Sequence, residues 1–398
     1  MVTGSADAAK DLVERARALG PALRERIAEG DSLRRIPDRT IADFKEAGFF
    51  RMLQPARYGG LEVDPRTYFD VQMAIAAACP SSAWVMGVVG VHNWQLALFA
   101  PEAQEDVWSR DRSVLISSSY APTGKVTRAP GGYRISGRWS FSSGCDHCQW
   151  VFLGGFVPPA DGADAKAPPD MRTFLLPRSD YQIDDTWHVA GLKATGSKDI
   201  VVENAFVPEH RTHRLIDGYL RKSPGNAVND SPLYKIPFGQ IFVRSVSTSA
   251  IGAAEGALEA YCDIASKRIG AGDGAKVAED PSVQLVAARA ASLIDEARLT
   301  LYRNFDELMA SARGGTDLPI ERRVRFRYDS AMAVVKCVEA VDGLFTASGG
   351  RAIFLGSPML RYFLDVHAAR AHYANNPDKP GRNFGGVQLK MKNQDHFL

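Results

Sequence analysis

The spacing of apolar residues changes twice along this chain, and the two changes constrain its fold more than any other feature. Up to residue 116 the spacing is helical, as in Ile41, Phe44 and Phe49. Short β-type runs follow, two of them flanking a Pro-Gly-Gly turn at 130–132, and long amphipathic helices return from about Ile236. We therefore predict a mainly α protein with a central β domain: an N-terminal helical domain (1–116), a middle β domain (117–215) and a C-terminal helical bundle (216–398).

Composition and charge exclude several kinds of partner. With 48 Lys and Arg against 46 Asp and Glu the formal charge is only +2, so no overall field attracts nucleic acid or an anionic membrane. The arginine run at 322–327 spreads around a helix, and the apolar stretch 83–91 is too short to cross a bilayer. The odd count of five cysteines and the lack of a secretory signal predict a reduced, cytoplasmic protein.

Several common cofactor motifs are missing from the sequence. No G-x-G-x-x-G follows a predicted strand, and the glycine-rich segment Gly270–Gly274 comes at the end of a helical pattern, where a cap and loop are expected. The sequence also has no phosphate-binding P-loop, no H-E-x-x-H and no G-x-S-x-G. We therefore expect no Rossmann-type nicotinamide site.

The motif Cys145-Asp146-His147-Cys148 resembles a metal or redox site. A structural zinc needs four ligands, however, and no second cysteine pair lies nearby. If the backbone is extended here, residues three apart point to opposite faces, which separates the two thiols. We predict two unpaired thiols and no metal; the alternative is a non-catalytic zinc- or thiol-binding module.

Other side chains admit two interpretations from spacing alone. If 361–372 is helical, Arg361, Asp365 and His372 share a face and form a constructed site, but a histidine at a helix end also serves as a cap. Ser143 closes a predicted strand, and Arg268 ends a predicted helix. Trp84, His92 and Trp94 would form an aromatic wall for a ring-shaped substrate, and core packing explains the two tryptophans equally well.

Three segments resemble the acyl-CoA dehydrogenase superfamily, and four more resemble a particular branch of it. The first three are "IPDRTIADFKEAGFFRMLQPARYGGLE", "GRWSFSSG" and "GLKATGSKDIVVENAFVPEHR". The others, "VGVHNWQLALF", "ISSSYAP", "SSGCDHCQW" and "RAHYANNP", are similar to the group D oxygenase components of two-component flavin-dependent monooxygenases. Among these, 3-hydroxy-9,10-secosteroid and p-hydroxyphenylacetate hydroxylases look closest. The resemblance covers nearly the whole chain and implies an acyl-CoA dehydrogenase-like fold.

One departure separates oxygenase from dehydrogenase. Dehydrogenases of this superfamily carry a catalytic glutamate late in the last helical region, but the equivalent stretch 364–377 contains no glutamate and offers His372 instead. The resemblance therefore implies that His372 takes the phenolic proton, for which an imidazole pKa near 6.5 is suitable. It further implies that Ser143 contacts flavin N5 and supports a C4a-hydroperoxide. The remaining candidates are Ser118, Tyr120, Arg268 and Trp84 for the cofactor, and His92, Trp94 and Tyr120 for the substrate.

The resemblance also implies partners. Reduced FMN or FAD would arrive by diffusion from a separate NAD(P)H:flavin reductase, O2 would be the co-substrate, and a phenolic or aromatic molecule would be hydroxylated without a metal. A homotetramer is expected. Two alternatives stay open: an acyl-CoA dehydrogenase-type FAD oxidoreductase with its base elsewhere, and an N- or S-oxygenating monooxygenase of the same fold.

Overall fold

A computed structural model describes residues 3–159, 169–269 and 274–398. Most of the glycine-rich segment Gly270–Gly274 lies outside the described residues.

The N-terminal part is helical, as predicted. Its helices are α1 (Thr3–Ala18), α2 (Gly20–Glu25), α3 (Ile27–Leu33), α4 (Asp38–Glu46), α5 (Pro65–Ala78), α6 (Pro80–Leu96) and α7 (Pro101–Trp108). Helix α5 begins where the Asp64 carboxylate accepts the Arg66 N–H at 3.0 Å and Pro65 fills the first helical position. Every residue of α6 is buried, which is expected for a helix without a polar face. This helix therefore passes through the protein interior.

The middle part forms two four-stranded sheets. The strands are β1 (Ile116–Ser119), β2 (Lys125–Ala129), β3 (Gly132–Ser142), β4 (Trp150–Val157), β5 (Asp170–Pro177), β6 (Gln182–Asp184), β7 (Lys198–Pro208) and β8 (Thr212–Arg214). One sheet has the order β1-β4-β5-β8 and the other β2-β3-β7-β6. The predicted hairpin is present, because β2 and β3 pair antiparallel across the turn at 130–131. Apolar side chains from both sheets form one core, which includes Trp139, Val151, Phe174 and Ile200.

The C-terminal part is a helical bundle. It contains α8 (Leu215–Leu220), α9 (Phe238–Lys267), α10 (Pro281–Arg313), α11 (Ile320–Ala347), α12 (Pro358–Arg370) and α13 (Asp378–Gln388). Helix α9 is central and packs against α5, α6, α10, α11 and α12. It approaches α5 closely at Gly252, where an added Cβ would lie 2.2 Å from the Met73 carbonyl oxygen. The predicted fold class, helices around a middle β domain, is confirmed.

Within the described residues no helix combines the length and the apolar character needed to cross a membrane. What matters for the site is that α6 and α9 lie side by side in the core and that the β3–β4 turn and the segment after α12 both reach α6.

Candidate functional site

Trp84 connects two side chains that are far apart in sequence. Its indole N–H donates to the Ser143 hydroxyl at 3.0 Å, and its ring meets the His372 ring edge-on, with 5.6 Å between centroids. Trp84 is itself 5% exposed and lies in the first half of α6. The structure thus brings together the two predicted catalytic residues, Ser143 and His372, around a third predicted site residue.

Ser143 is held by the turn that follows β3. Gly144 has a φ of +71°, which favours glycine, and its N–H donates to the Thr195 carbonyl at 2.8 Å. The Ser143 hydroxyl lies 2.7 Å from the Ser197 hydroxyl in addition to its bond with Trp84. The hydroxyl is therefore fixed in direction, because two protein groups already contact it.

The predicted shared helical face of His372 is wrong. Helix α12 ends at Arg370, and His372 has an extended ψ of 136° at the start of a short 3-10 turn. Arg361 instead pairs with Asp31 at 2.7 Å, and Asp365 accepts the Leu192 N–H at 2.5 Å. A short turn at 373–375 follows the helix, and in it the Asn375 N–H donates to the His372 carbonyl at 2.9 Å. No triad with His372 forms.

His372 accepts a hydrogen bond through one ring nitrogen, which leaves the other to carry the proton. Its Nδ1 accepts the Ala374 N–H at 3.1 Å, so the proton of the neutral ring sits on Nε2. Burial, with a contribution from the positive charge of Arg327, lowers the pKa of His372 to about 4, well below the 6.5 assumed from sequence. The residue as a whole is half-buried.

The turn that carries His372 is fastened to two helices. Arg327, on α11, donates to the Ala374 carbonyl at 2.9 Å, and the Asn375 amide donates to the Val246 carbonyl of α9 at 3.0 Å. Both Arg327 and Asn375 are buried. These contacts hold the imidazole in one position relative to α9.

Further along α6, an aromatic group surrounds Tyr120. The Tyr120 ring meets Phe242 at 4.9 Å and His92 at 6.3 Å, both edge-on, and its hydroxyl donates to Gln95 Oε1. Burial raises the pKa of the Tyr120 hydroxyl well above its ordinary value, and the Ser118 hydroxyl also contacts it. The structure therefore brings predicted residues of the cofactor and substrate sets together at this place.

His92 has one occupied and one unoccupied ring nitrogen. Its Nδ1 lies 2.5 Å from the Ile116 carbonyl, which can only accept, so Nδ1 carries the proton. Burial lowers the pKa of His92 to about 4, so the ring is neutral and Nε2 is an acceptor. Among the described residues neither His92 Nε2 nor Gln95 Nε2 has a hydrogen-bond partner, although both are buried.

Two predicted site residues do not join this group. Trp94 has no exposed surface, stacks on Phe238 and donates its indole N–H to the Leu233 carbonyl at 2.9 Å, so core packing explains it. Arg268 is exposed and donates to the Ser348 carbonyl at 3.3 Å. It follows the far end of α9, about 36 Å along the helix from Arg244 at 1.5 Å per residue. Within one chain it does not reach the Trp84 site.

Sequence reasoning missed Arg244 and Phe141. Arg244 interrupts an apolar run on α9; it is 2% exposed, and neither of its terminal guanidinium nitrogens has a partner in the described chain. Burial lowers the pKa of Arg244 to about 10. Phe141, two residues before Ser143, has a φ of +68° and is 69% exposed. The available signal for Arg244 was a lone cation in an apolar helix.

The cysteine motif does not form a pair. Both thiols are free and buried, and the backbone makes a 3-10 turn at 145–147 rather than the extended segment we expected. Cys145 contacts the Gly196 carbonyl within the β core, whereas Cys148 contacts the Gly144 carbonyl and packs in the helical core. Burial raises the pKa of Cys145 to about 12. Over the described ranges, no three His, Cys, Asp or Glu residues are grouped to hold a metal ion.

The chain matches two family models. The acyl-CoA dehydrogenase N-terminal domain matches residues 7–111, and the acyl-CoA dehydrogenase C-terminal domain matches residues 245–377. The matched ranges contain α6 and the His372 turn, whereas Ser143 and Tyr120 lie in the middle part of the chain between them.

Similar proteins are flavin-dependent. The oxygenase subunit HsaA of a flavin-dependent monooxygenase from Rhodococcus jostii is 43% identical over 97% of this chain and 100% of its own length. The oxygenase component of a FADH(2)-dependent resorcinol hydroxylase from a Rhizobium species is 32% identical over 97% and 96%. Among solved structures, XiaF from Streptomyces in complex with FADH2 and glycerol is 28% identical, with a TM-score of 0.90 over 99% of this chain and 98% of XiaF.

Proposed function

The chain belongs to the oxygenase components of two-component flavin-dependent monooxygenases, and from this premise we propose that it hydroxylates a phenolic or other aromatic ring. Reduced FMN or FAD comes by diffusion from a separate NAD(P)H:flavin reductase, and O2 is the co-substrate. One observation carries the proposal for the site: Trp84 holds the Ser143 hydroxyl on one side and the His372 ring on the other.

The residues present fit a flavin. Phe141 exposes most of its ring next to Ser143 in a strained backbone conformation, as expected for a side chain that packs on a ligand. Ser143 keeps one hydrogen-bonding position free after its bonds to Trp84 and Ser197. When bound, a reduced flavin supplies the two electrons that activate O2. We propose that Phe141, Trp84 and Ser143 hold its ring and that Ser118 and Tyr120 line the approach.

The polar atoms near Tyr120 fit a second polar group on an aromatic substrate. His92 Nε2 can accept a hydrogen bond from such a group, and Gln95 Nε2 can donate one to it. The surrounding Phe242 and Tyr120 rings provide an apolar wall for the aromatic part. The guanidinium of Arg244 offers a positive charge to a phenolate or to the flavin.

His372 completes the substrate side through Nε2–H. We propose that this N–H donates to the phenolic oxygen, which stabilises negative charge there and directs attack to the neighbouring ring carbon. The alternative from sequence, proton abstraction by His372, would have to use a ring whose pKa is about 4. The buried Trp84 ring helps to exclude water from the reacting atoms.

Assembly and location are further parts of the proposal. Three consecutive side chains, Ile353, Phe354 and Leu355, are 66%, 67% and 90% exposed close to the Arg268–Ser348 contact. In a homotetramer this surface would be covered, and Arg268 would reach the flavin of a neighbouring copy. The free thiols fit a reducing, cytoplasmic setting. Light scattering would measure the mass of the assembly in solution. We expect Leu355→Asp to reduce this mass to that of an assembly with fewer copies of the chain.

Oxygen labelling tests the function. The protein is mixed anaerobically with chemically reduced FMN or FAD and a panel of phenols, and 18O2 is then added. We expect a hydroxylated product with one 18O atom, and more hydrogen peroxide with less product from Ser143→Ala. Absence of labelled product across the panel, with peroxide released as from free flavin, would overturn the proposal. Reduction of oxidised FAD by an acyl-CoA thioester would instead favour the dehydrogenase.

A further inference from the structure

A row of three buried hydroxyls runs away from the flavin-facing side of Ser143. Ser143 Oγ lies 2.7 Å from Ser197 Oγ, which lies 2.7 Å from Thr195 Oγ1, and Thr195 Oγ1 donates to the Leu192 carbonyl at 2.9 Å. The three residues are 9%, 4% and 1% exposed. The proposed function assigns a role to the first hydroxyl and none to the other two.

The loop before β7 builds this row. Leu192 and Gly196 both have positive φ, of 52° and 54°, with a 3-10 turn at 193–195 between them, and this brings the side chains of Thr195 and Ser197 within 2.7 Å of each other. The Leu192 N–H donates to Asp365 on α12 at 2.5 Å, so the end of the row is tied to the helical bundle. The hydroxyls therefore have fixed partners.

The number of protons available determines which hydroxyl in the row donates to which. A hydroxyl has a single proton, and the indole of Trp84 is a donor only, so Ser143 must accept from it. If Ser143 donates to Ser197, Ser197 to Thr195 and Thr195 to Leu192, every proton has an acceptor. In the opposite direction the Ser143 proton would have no acceptor in the described part of the chain, although the Leu192 carbonyl would stay bonded to the Thr195 and Trp187 N–H groups. The protein thus favours the first direction.

This direction distinguishes the two redox states of a flavin. Reduced flavin carries a proton on N5 and donates, whereas oxidised flavin has a lone pair on N5 and can only accept. We propose that Thr195 and Ser197 are positioning residues: they keep the Ser143 hydroxyl as an acceptor, and the site therefore prefers reduced over oxidised flavin. The inference rests on the proposed function, because Ser143 must face N5. The inference adds a structural reason why an oxygenase that receives its flavin from a separate reductase would bind the reduced form and release the oxidised form.

Binding of the two flavin forms tests the proposal. The dissociation constants of FMN and, separately, of FAD are measured with the full chain by ultrafiltration. Each flavin is measured in its oxidised form in air and in its photoreduced form under anaerobic conditions. Thr195→Val keeps the shape of the side chain but removes the acceptor for Ser197, whose proton then turns to Ser143. We expect the ratio of oxidised to reduced dissociation constants to fall about threefold to tenfold, the effect of one neutral hydrogen bond.

Matched variants separate direction from packing. Thr195→Ser retains the hydroxyl and should retain the wild-type ratio. Ser197→Ala breaks the row at its second member and should lower the ratio like Thr195→Val. Ser142→Ala is the control, because Ser142 is buried beside Ser143 but its hydroxyl has no hydrogen-bond partner in the described chain.

The outcomes separate this inference from the function on which it rests. An unchanged ratio in both Thr195→Val and Ser197→Ala, or a wild-type protein that binds both flavin forms equally, overturns the role of the hydroxyl row and leaves the hydroxylase proposal standing. Wild-type protein that binds neither form overturns the proposed function itself. A lower ratio in Thr195→Val and Ser197→Ala, together with the wild-type ratio in Thr195→Ser, supports the inference.

Discussion

Replacing His372 by glutamine tests how this residue acts. A glutamine amide can donate a hydrogen bond near the position of Nε2–H but cannot serve as a base at neutral pH. If His372 is a donor, His372→Gln should keep kcat within about tenfold of wild type, whereas His372→Ala should lose about 100- to 1000-fold, as when one donor to a developing negative charge is removed. If His372 is a general base, both should lose about 100- to 10,000-fold.

The structure gives the magnitude that favours a donor. A phenol has a pKa of about 10, so a ring with a pKa of about 4 takes its proton uphill by about six units, or roughly 8 kcal/mol. An unperturbed histidine would face a cost of only about 5 kcal/mol. The burial of His372 thus adds about 3 kcal/mol against abstraction, and its Nδ1 is already occupied by the Ala374 N–H.

Rapid-quench measurement of product formed per turnover, from pH 5 to pH 9, is the assay. We expect no ionisation near pH 6.5 in the wild-type profile, because the neutral ring is present throughout this range. His372→Asn is the matched control, since its shorter amide does not reach the Nε2 position. A glutamine variant as inactive as the alanine variant, together with a wild-type rise in rate centred near pH 6.5, would refute the donor role.

Three further predictions concern stability and binding. Arg244→Met should weaken flavin or substrate binding at least about tenfold while raising the melting temperature, because a buried unpaired charge is removed; isothermal titration and calorimetry would check both. Burial lowers the pKa of His92, His213 and His372 to about 4 each, so the unfolded chain binds more protons between about pH 4 and 6.5. Stability should therefore fall as pH drops through this window, by roughly 2 kcal/mol per ring at pH 5, as measured by urea unfolding. Cys145→Ala should leave product yield unchanged and cost about 1 kcal/mol in urea, whereas loss of a bound zinc would support the metal-binding alternative.

The order of the domains was predictable because it depends on local patterns. Helical spacing, the Pro-Gly-Gly turn and the return of long amphipathic segments each act within a few residues, and the structure contains the helices, the β2–β3 hairpin and the bundle that they predict. The extent of α12 was not predictable in the same way. Its end depends on Arg327 and on Asn375, which bond the following turn to α11 and α9, and no local pattern records such contacts.

The candidate site was predictable as a set of residues rather than as an arrangement. The resemblance indicated Ser143 and His372, but the Trp84 side chain that contacts both lies 59 residues before Ser143 in the sequence. Trp94, only ten positions further along the same helix, points into the core instead. Spacing on α6 alone cannot separate these tryptophans, since the whole helix is buried and every face of it has neighbours.

Three buried side chains on α6 and α9 have polar atoms without hydrogen-bond partners in the described chain. A buried guanidinium or imidazole that lacks a hydrogen bond costs the folded chain free energy, and proteins rarely keep such groups unless something else satisfies them. His92 Nε2 and Gln95 Nε2 on α6 and the Arg244 guanidinium on α9 belong to neighbouring helices, and between them they offer one acceptor and several donors. A single apolar ligand would leave all of them unsatisfied. A ligand that carries polar groups, such as an aromatic substrate or a flavin, would supply partners for them, and this supports the proposal of a ligand site beside α6 and α9.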